Sequence, residues 1–190
     1  MPFNDILAAN TEYSNLHKDL GSGSARLGLA IVTCIDSRID PLESFGLIAG
    51  DAKILRNAGA RVTDDMLRTL ILATHVLGVN RIALIAHTDC GATSASQDQI
   101  VKLVGDATDS DASAIDFLMV DDQEATLRSD AQIIRECPQI APGTEVGTFM
   151  FEQWKLTLIA NAVDVTLPAD ALVIHGKSLH VYPGLIDASN

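Results

Sequence analysis

At 190 residues the chain is long enough to bury a core without disulfides or a structural metal, and it reads most simply as one domain. Its 47% hydrophobic but only 4% aromatic content predicts a core of Ala, Val, Ile and Leu. A formal charge of −12, from 13 basic and 25 acidic residues, argues against nucleic acid or an anionic membrane surface as a partner.

The chain opens with Phe3, Ile6, Leu7, Tyr13 and Leu16 near helical spacing, with Asn4 as a candidate N-cap and GSGS at 21–24 as the break. This predicts an amphipathic N-terminal helical arm, whose apolar stripe must be buried on its own domain or on a neighbouring subunit. Leu27 to Thr33 and Arg81 to Ala86 are short apolar runs suited to strands covered on both faces, and Lys53 to Arg56 is a third strand between them. Thr63 can cap a helix with Asp64 and Asp65 in its first turn, Met66, Leu70, Ala73 and Leu77 on one face, and Gly78 as its stop. Strand, helix and strand in that order predict a parallel crossover. The expected fold is therefore α/β, a central, mainly parallel β-sheet flanked by helices.

Beyond Cys90 a helix is expected near Ser94 to Leu103, followed by an exposed acidic loop, GDATDSDASAID. A longer helix is expected from about Ile115 to Glu136, with Leu127, Ala131 and Ile134 sharing a face and Pro138 forbidding continuation. Glu145 to Phe151 reads as a strand, and LVIHGKSLHVY as a hairpin around Gly176 that carries His175 and His180. Nothing divides the chain, so a single domain over 1–190 is expected, with 1–20 as the arm and 166–190 as a C-terminal extension. The three cysteines, Cys34, Cys90 and Cys137, form no closely spaced framework, which points to free thiols in a reducing compartment. MPFNDILAAN has no basic-then-apolar leader, and no apolar run reaches about 18 residues. A cytoplasmic protein is expected.

The chemistry concentrates in two short stretches. The first strand ends in Cys34-x-Asp36-x-Arg38, where alternation puts three polar side chains on one side if the backbone stays extended. The later strand ends in HTDCG, with His87, Cys90 and Gly91. Open α/β sheets bind ligands just past the C-terminal ends of their strands, and both sets fall there. Two thiolates and an imidazole are a known ligand set for catalytic zinc, with one position left for water or substrate. The plainer readings are a buried cysteine acting as a small hydrophobe and a surface Asp36–Arg38 ion pair of little energetic weight. His75, inside a helix, reads as packed or exposed, and Cys137, before Pro138, as structural.

Taken together, Cys34-x-Asp36-x-Arg38, RNAG at 56–59 and His87-x-x-Cys90-Gly91 resemble the β-class carbonic anhydrases, in particular the short bacterial branch that also includes carbonyl sulfide hydrolase-like members. The resemblance covers about residues 1–95; beyond it the match weakens, and Ala92 stands where many members carry a second glycine. It implies one Zn2+ per chain held by Cys34, His87 and Cys90, with Asp36 and Arg38 as a catalytic pair. Asp36 either pairs with Arg38 or becomes a fourth ligand that closes the site. It also implies a homodimer or homotetramer, with the arm lying across the partner subunit.

The expected reaction is reversible hydration of carbon dioxide to bicarbonate and a proton by zinc-bound hydroxide. Two thiolates and a neutral imidazole leave the zinc site formally uncharged, so the metal acidifies water less than with three histidines. Asp36 is expected to compensate by accepting a hydrogen bond from the water, with Arg38 holding the carboxylate ionised. Asn57, Ala58, Gly59 and Gly91 are candidate substrate-pocket residues, although RNAG reads equally well as a tight turn that needs Gly59. Hydrolysis of carbonyl sulfide or carbon disulfide to hydrogen sulfide and carbon dioxide at the same site is the alternative. A non-catalytic zinc-stabilised module and a histidine-activated cysteine nucleophile are further readings.

Overall fold

The computed structural model describes residues 3–17, 19–152 and 155–159. The expected C-terminal hairpin, with His175 and His180, lies outside them.

Five strands form one sheet: β1 (Leu29–Cys34), β2 (Ala52–Asn57), β3 (Arg81–His87), β4 (Glu145–Glu152) and β5 (Lys155–Leu158). Their order is β2-β1-β3-β4-β5; the first four are parallel and β5 is antiparallel to β4. The mainly parallel sheet expected from the apolar runs is present, and each run falls on its strand. The two runs that end in reactive side chains, β1 and β3, are hydrogen-bonded neighbours at the sheet centre.

The helices are α1 (Asn4–Leu16), α2 (Pro41–Ser44), α3 (Asp64–Val76), α4 (Gln97–Thr108) and α5 (Gln123–Glu136). Thr63 caps α3 by accepting from the Met66 backbone N–H, and Gly78 follows the helix at φ 72°, a left-handed conformation that suits glycine. α3 and α5 pack on one face of the sheet. There Met66, Leu70, Ala73, Leu127, Ala131 and Ile134 meet Ala30, Val32, Ile82, Leu84 and Ala86 in the main core. Fully burying a leucine such as Leu70 stabilises by roughly 1.5–3 kcal/mol, so this face anchors the fold. On the other face Ile31, Ile39, Ile85 and Phe151 form a smaller core, bordered by the half-buried Leu29, Ile54, Ala83, Phe149 and Leu156.

Three expectations change. The helix expected from about Ile115 begins instead at Gln123, because Asp122 caps it by accepting from the Ala125 N–H while Leu118 adopts a left-handed φ of 53°. The helix expected near Ser94 starts after Ser96, which forms a reciprocal capping box with Gln99, and it runs on to Thr108 into the expected loop. Asn4 is the first residue of α1 rather than its cap; Phe3 stands at that position without a side-chain cap bond. The apolar stripe of α1 is present but is not buried against the described residues: Phe3, Ile6, Leu7, Tyr13 and Leu16 are all exposed.

Candidate metal centre

β1 delivers Cys34, and β3 delivers His87 followed three residues later by Cys90. All three are buried, and one ligand atom from each lies within 4.8 Å of the others. The two Sγ atoms are 3.8 Å apart and both cysteines are free. Two sulfurs each about 2.3 Å from a tetrahedral zinc stand about 3.8 Å apart, so the pair is spaced as zinc requires.

The imidazole is oriented by its surroundings. Nδ1 lies 2.9 Å from the Thr88 carbonyl oxygen, and Gln123 Nε2 donates to the His87 carbonyl at 2.7 Å. Nε2 is buried and has no hydrogen-bond partner among the described residues. A buried polar nitrogen left unpaired costs roughly 1–3 kcal/mol, and a cation bonded to it removes that cost. The thiols point the same way. Cys34 is drawn well below the usual thiol range, first by the hydrogen bond from Cys90 and, against burial, by His87 and the backbone N–H groups of Gly59 and Asp36. Cys90 is pushed up, first by its bond to Cys34 and then by burial. Two buried cysteines whose sulfurs already share a hydrogen bond are a ready pair of ligands for a divalent cation. The donor set thus fits zinc.

Asp36 and Arg38 stand beside this cluster, although not through extended alternation. β1 ends at Cys34, and Ile39 N–H donates to the Asp36 carbonyl at 3.0 Å, closing a turn. The Asp36 carboxylate accepts from the Arg38 backbone N–H at 2.9 Å and is gripped by the same residue's Nε and Nη2 at 3.0 and 2.7 Å. The Arg38 guanidinium, by direct hydrogen bonding first, holds the Asp36 carboxyl well below the usual carboxylate range. Oδ2 is 3.8 Å from His87 Nε2, so the carboxylate borders the cluster while bonded to Arg38.

The RNAG segment is a tight turn as well as a neighbour of the site. Asn57 secures it, its amide accepting from Arg61 N–H at 2.8 Å and donating to the Arg61 carbonyl at 2.7 Å. Ala58 is exposed; Gly59 has φ 75°, and a Cβ there would lie 3.1 Å from the Ala92 Cβ. Both backbone shape and close approach therefore favour glycine. Gly91 is exposed and opens the short turn after Cys90. Cys137 ends α5 away from the cluster, with its Sγ near Gln139, and His75 meets the Gln139 carbonyl at the surface.

Four residues around the centre carried no role in the sequence reading. Arg56 donates to the carbonyls of Cys34 and Asp36, Asp89 meets Arg38, and Gln123 holds the His87 backbone. Asp130, buried, takes Arg61 in a bidentate pair at 2.8 and 3.2 Å and also accepts from Val62 N–H, which fixes the turn after Gly59 against α5. Arg56 and Asp89 had a sequence signal, their places in RNAG and HTDCG; Gln123 and Asp130 had none.

A family model described as carbonic anhydrase matches residues 29–140, more than half of the chain and the segment that holds every residue of this cluster. The chain belongs to the β-carbonic anhydrase family. β-Carbonic anhydrase 1 of Mycobacterium tuberculosis is 36% identical over 104 residues, 55% of this chain. The match spans 64% of that protein, less than two thirds of its length. A carbon disulfide hydrolase of Saccharolobus solfataricus is 43% identical over 74 residues, 39% of this chain and 36% of that protein. The crystal structure of the carbonic anhydrase from Streptococcus mutans superposes with a TM-score of 0.78 at 32% identity, over 84% of this chain and 98% of that one. β-Carbonic anhydrase family members thus share the sheet that positions the cluster.

Proposed function

We propose that the protein binds one zinc ion per chain through Cys34, His87 and Cys90 and catalyses the reversible hydration of carbon dioxide to bicarbonate and a proton. The observation that carries this reading is the buried, unpartnered His87 Nε2 beside two cysteine sulfurs 3.8 Å apart, with Asp36 bonded to Arg38 rather than filling a fourth position. Structural zinc normally takes four protein ligands, and three leave a place for substrate chemistry.

Zinc, when bound, supplies Lewis acidity that brings the deprotonation of water into the neutral range. The chain's own residues do the rest. Asp36, ionised, accepts a hydrogen bond from the attacking water and so aims an oxygen lone pair at the carbon of the gas. Arg38 keeps that carboxylate ionised and prevents it from rotating into the cluster. The backbone N–H groups of Gly59 and Ala92 hold the two sulfurs.

Hydrolysis of carbonyl sulfide or carbon disulfide is the second reading, favoured by the 43% identity to a carbon disulfide hydrolase over 74 residues. Both reactions begin with attack on a linear electrophile, and pocket shape separates them. Metal analysis with parallel rate assays on carbon dioxide and carbonyl sulfide decides. We expect about one zinc per chain and bicarbonate formation; sulfide release with negligible bicarbonate would replace the first reading by the second. One zinc with no turnover on either gas would leave a zinc-stabilised module.

The exposed stripe of α1 and the half-buried second face of the sheet support a homodimer or homotetramer. Deleting residues 1–20 and measuring mass in solution tests this: a smaller species is expected, and an unchanged oligomer removes the arm from assembly. Three free cysteines in the chain fit a cytoplasmic setting.

A further inference from the structure

Cys34 belongs to a strand and Asp36 to the turn beyond it, so something must fix one against the other. Arg56, half-buried on the neighbouring strand, sits opposite Thr33 in the β1–β2 register, and its guanidinium reaches past the end of β1. Nε donates to the Cys34 carbonyl at 2.8 Å and Nη2 to the Asp36 carbonyl at 2.7 Å. Between them, Ile35 N–H donates to the Asn57 carbonyl at 3.0 Å. Three consecutive residues, 34–36, are thereby fastened to the last two of β2.

The fork matters because of what Asp36 can reach. Its carboxylate lies 2.7 Å from Arg38 and 3.8 Å from His87 Nε2. With its backbone held, the side chain chooses between these directions by rotation alone; with the backbone released, the turn itself can shift and the distance to the cluster is no longer set. Charged donors to carbonyls are stronger than neutral ones, and a rigid guanidinium can grip two acceptors where an ammonium offers a single point charge.

We propose that Arg56 is a positioning residue that holds the backbone of Asp36 in register with the ligand Cys34, and thereby keeps the carboxylate at working distance from the metal centre. The inference deepens the zinc-enzyme reading and rests on it.

The test compares wild type, Arg56→Lys, Asp36→Asn and the double variant. Each is measured for zinc content, for kcat and KM, and for the visible absorption of the cobalt-loaded protein. Arg56→Lys is expected to keep one metal per chain, to lose about ten-fold or more in kcat with KM less affected, and to shift the cobalt spectrum. In the Asp36→Asn background the same lysine substitution is expected to change neither kcat nor spectrum, because Arg56 acts through Asp36. Wild-type kcat and spectrum in Arg56→Lys, or an equal loss in both backgrounds, overturns the proposal. If the wild type turns over neither gas, the enzyme reading fails while the cobalt spectra still decide the role of Arg56. If Arg56→Lys does not fold by circular dichroism, Arg56→Gln, which retains one donor, is read against the same outcomes.

Discussion

Arg38 donates through Nη1 to the Asp89 carboxylate at 2.7 Å and through Nη2 to the Asp89 carbonyl at 2.8 Å, so one guanidinium spans the ends of β1 and β3. Asp89 has φ 56°, a left-handed conformation that Asp and Asn adopt more readily than other side chains. Asp89→Asn keeps that backbone and removes only the charge. Because the carboxylate is 86% exposed, the ion pair contributes about 0.2–1 kcal/mol, and turnover should fall only a few-fold. Asp89→Ala should also lose roughly 1–2 kcal/mol of stability to left-handed strain, measurable by urea unfolding.

Asp36→Asn should retain the metal and lose most turnover. Its pH behaviour has a definite sign. The folded carboxyl titrates below its unfolded value of about 4, so its contribution to stability is fully present above that pH. It is lost as the pH falls through the lower, folded value. The difference in unfolding free energy between wild type and Asp36→Asn should therefore be flat from neutral pH down to about 5 and shrink below about 4. A difference that grew on acidification would contradict the Arg38 clamp.

Removing the metal with a chelator should lower the melting temperature and expose sulfur. Cys34 and Cys90 are buried and are protected when they act as ligands, whereas Cys137 is partly accessible throughout. Thiol titration should therefore count one reactive group in the loaded protein and three after chelation, with protection restored by zinc. Equal counts in both states would remove the two cysteines from the ligand set.

Asp130→Ala should be the most destabilising of these changes, by roughly 3–5 kcal/mol, because it leaves Arg61 and the Val62 N–H without their partner in a buried setting. Chemical denaturation gives the magnitude. The turn that holds Gly59 beneath Cys34 should loosen with it, and metal affinity should fall.

The strands and the ligand trio were legible because each depends on local pattern: apolar runs that end abruptly, then cysteine or histidine at a strand terminus. The start of α5 was not. Extending the face shared by Leu127, Ala131 and Ile134 back to about Ile115 suggests a longer helix, but the Asp122 cap and the left-handed Leu118 begin it later, and local hydrogen bonding overrides periodicity there. Alternation in Cys34, Asp36 and Arg38 suggested a continuing strand, whereas a turn brings Asp36 and Arg38 together. The Arg61–Asp130 and Arg38–Asp89 pairs join residues far apart in the chain, so only the folded sheet could reveal them. α1 shows the same limit: its stripe is plain in the sequence, but the described residues do not cover it.

Cys34 and His87 end the adjacent parallel strands β1 and β3, whose separation is the ordinary hydrogen-bonding distance of about 4.8 Å in any sheet, and Cys90 follows in the turn beyond β3. The spacing of Cys34 and His87 is therefore the gauge of the sheet itself. Of the chain threaded between those strands, the α2 turn and the outer face of α3 can be redecorated, whereas β2 has to keep its hold on residues 34–36. The surroundings of the cluster can thus be remodelled while Cys34 and His87 keep the spacing of the sheet.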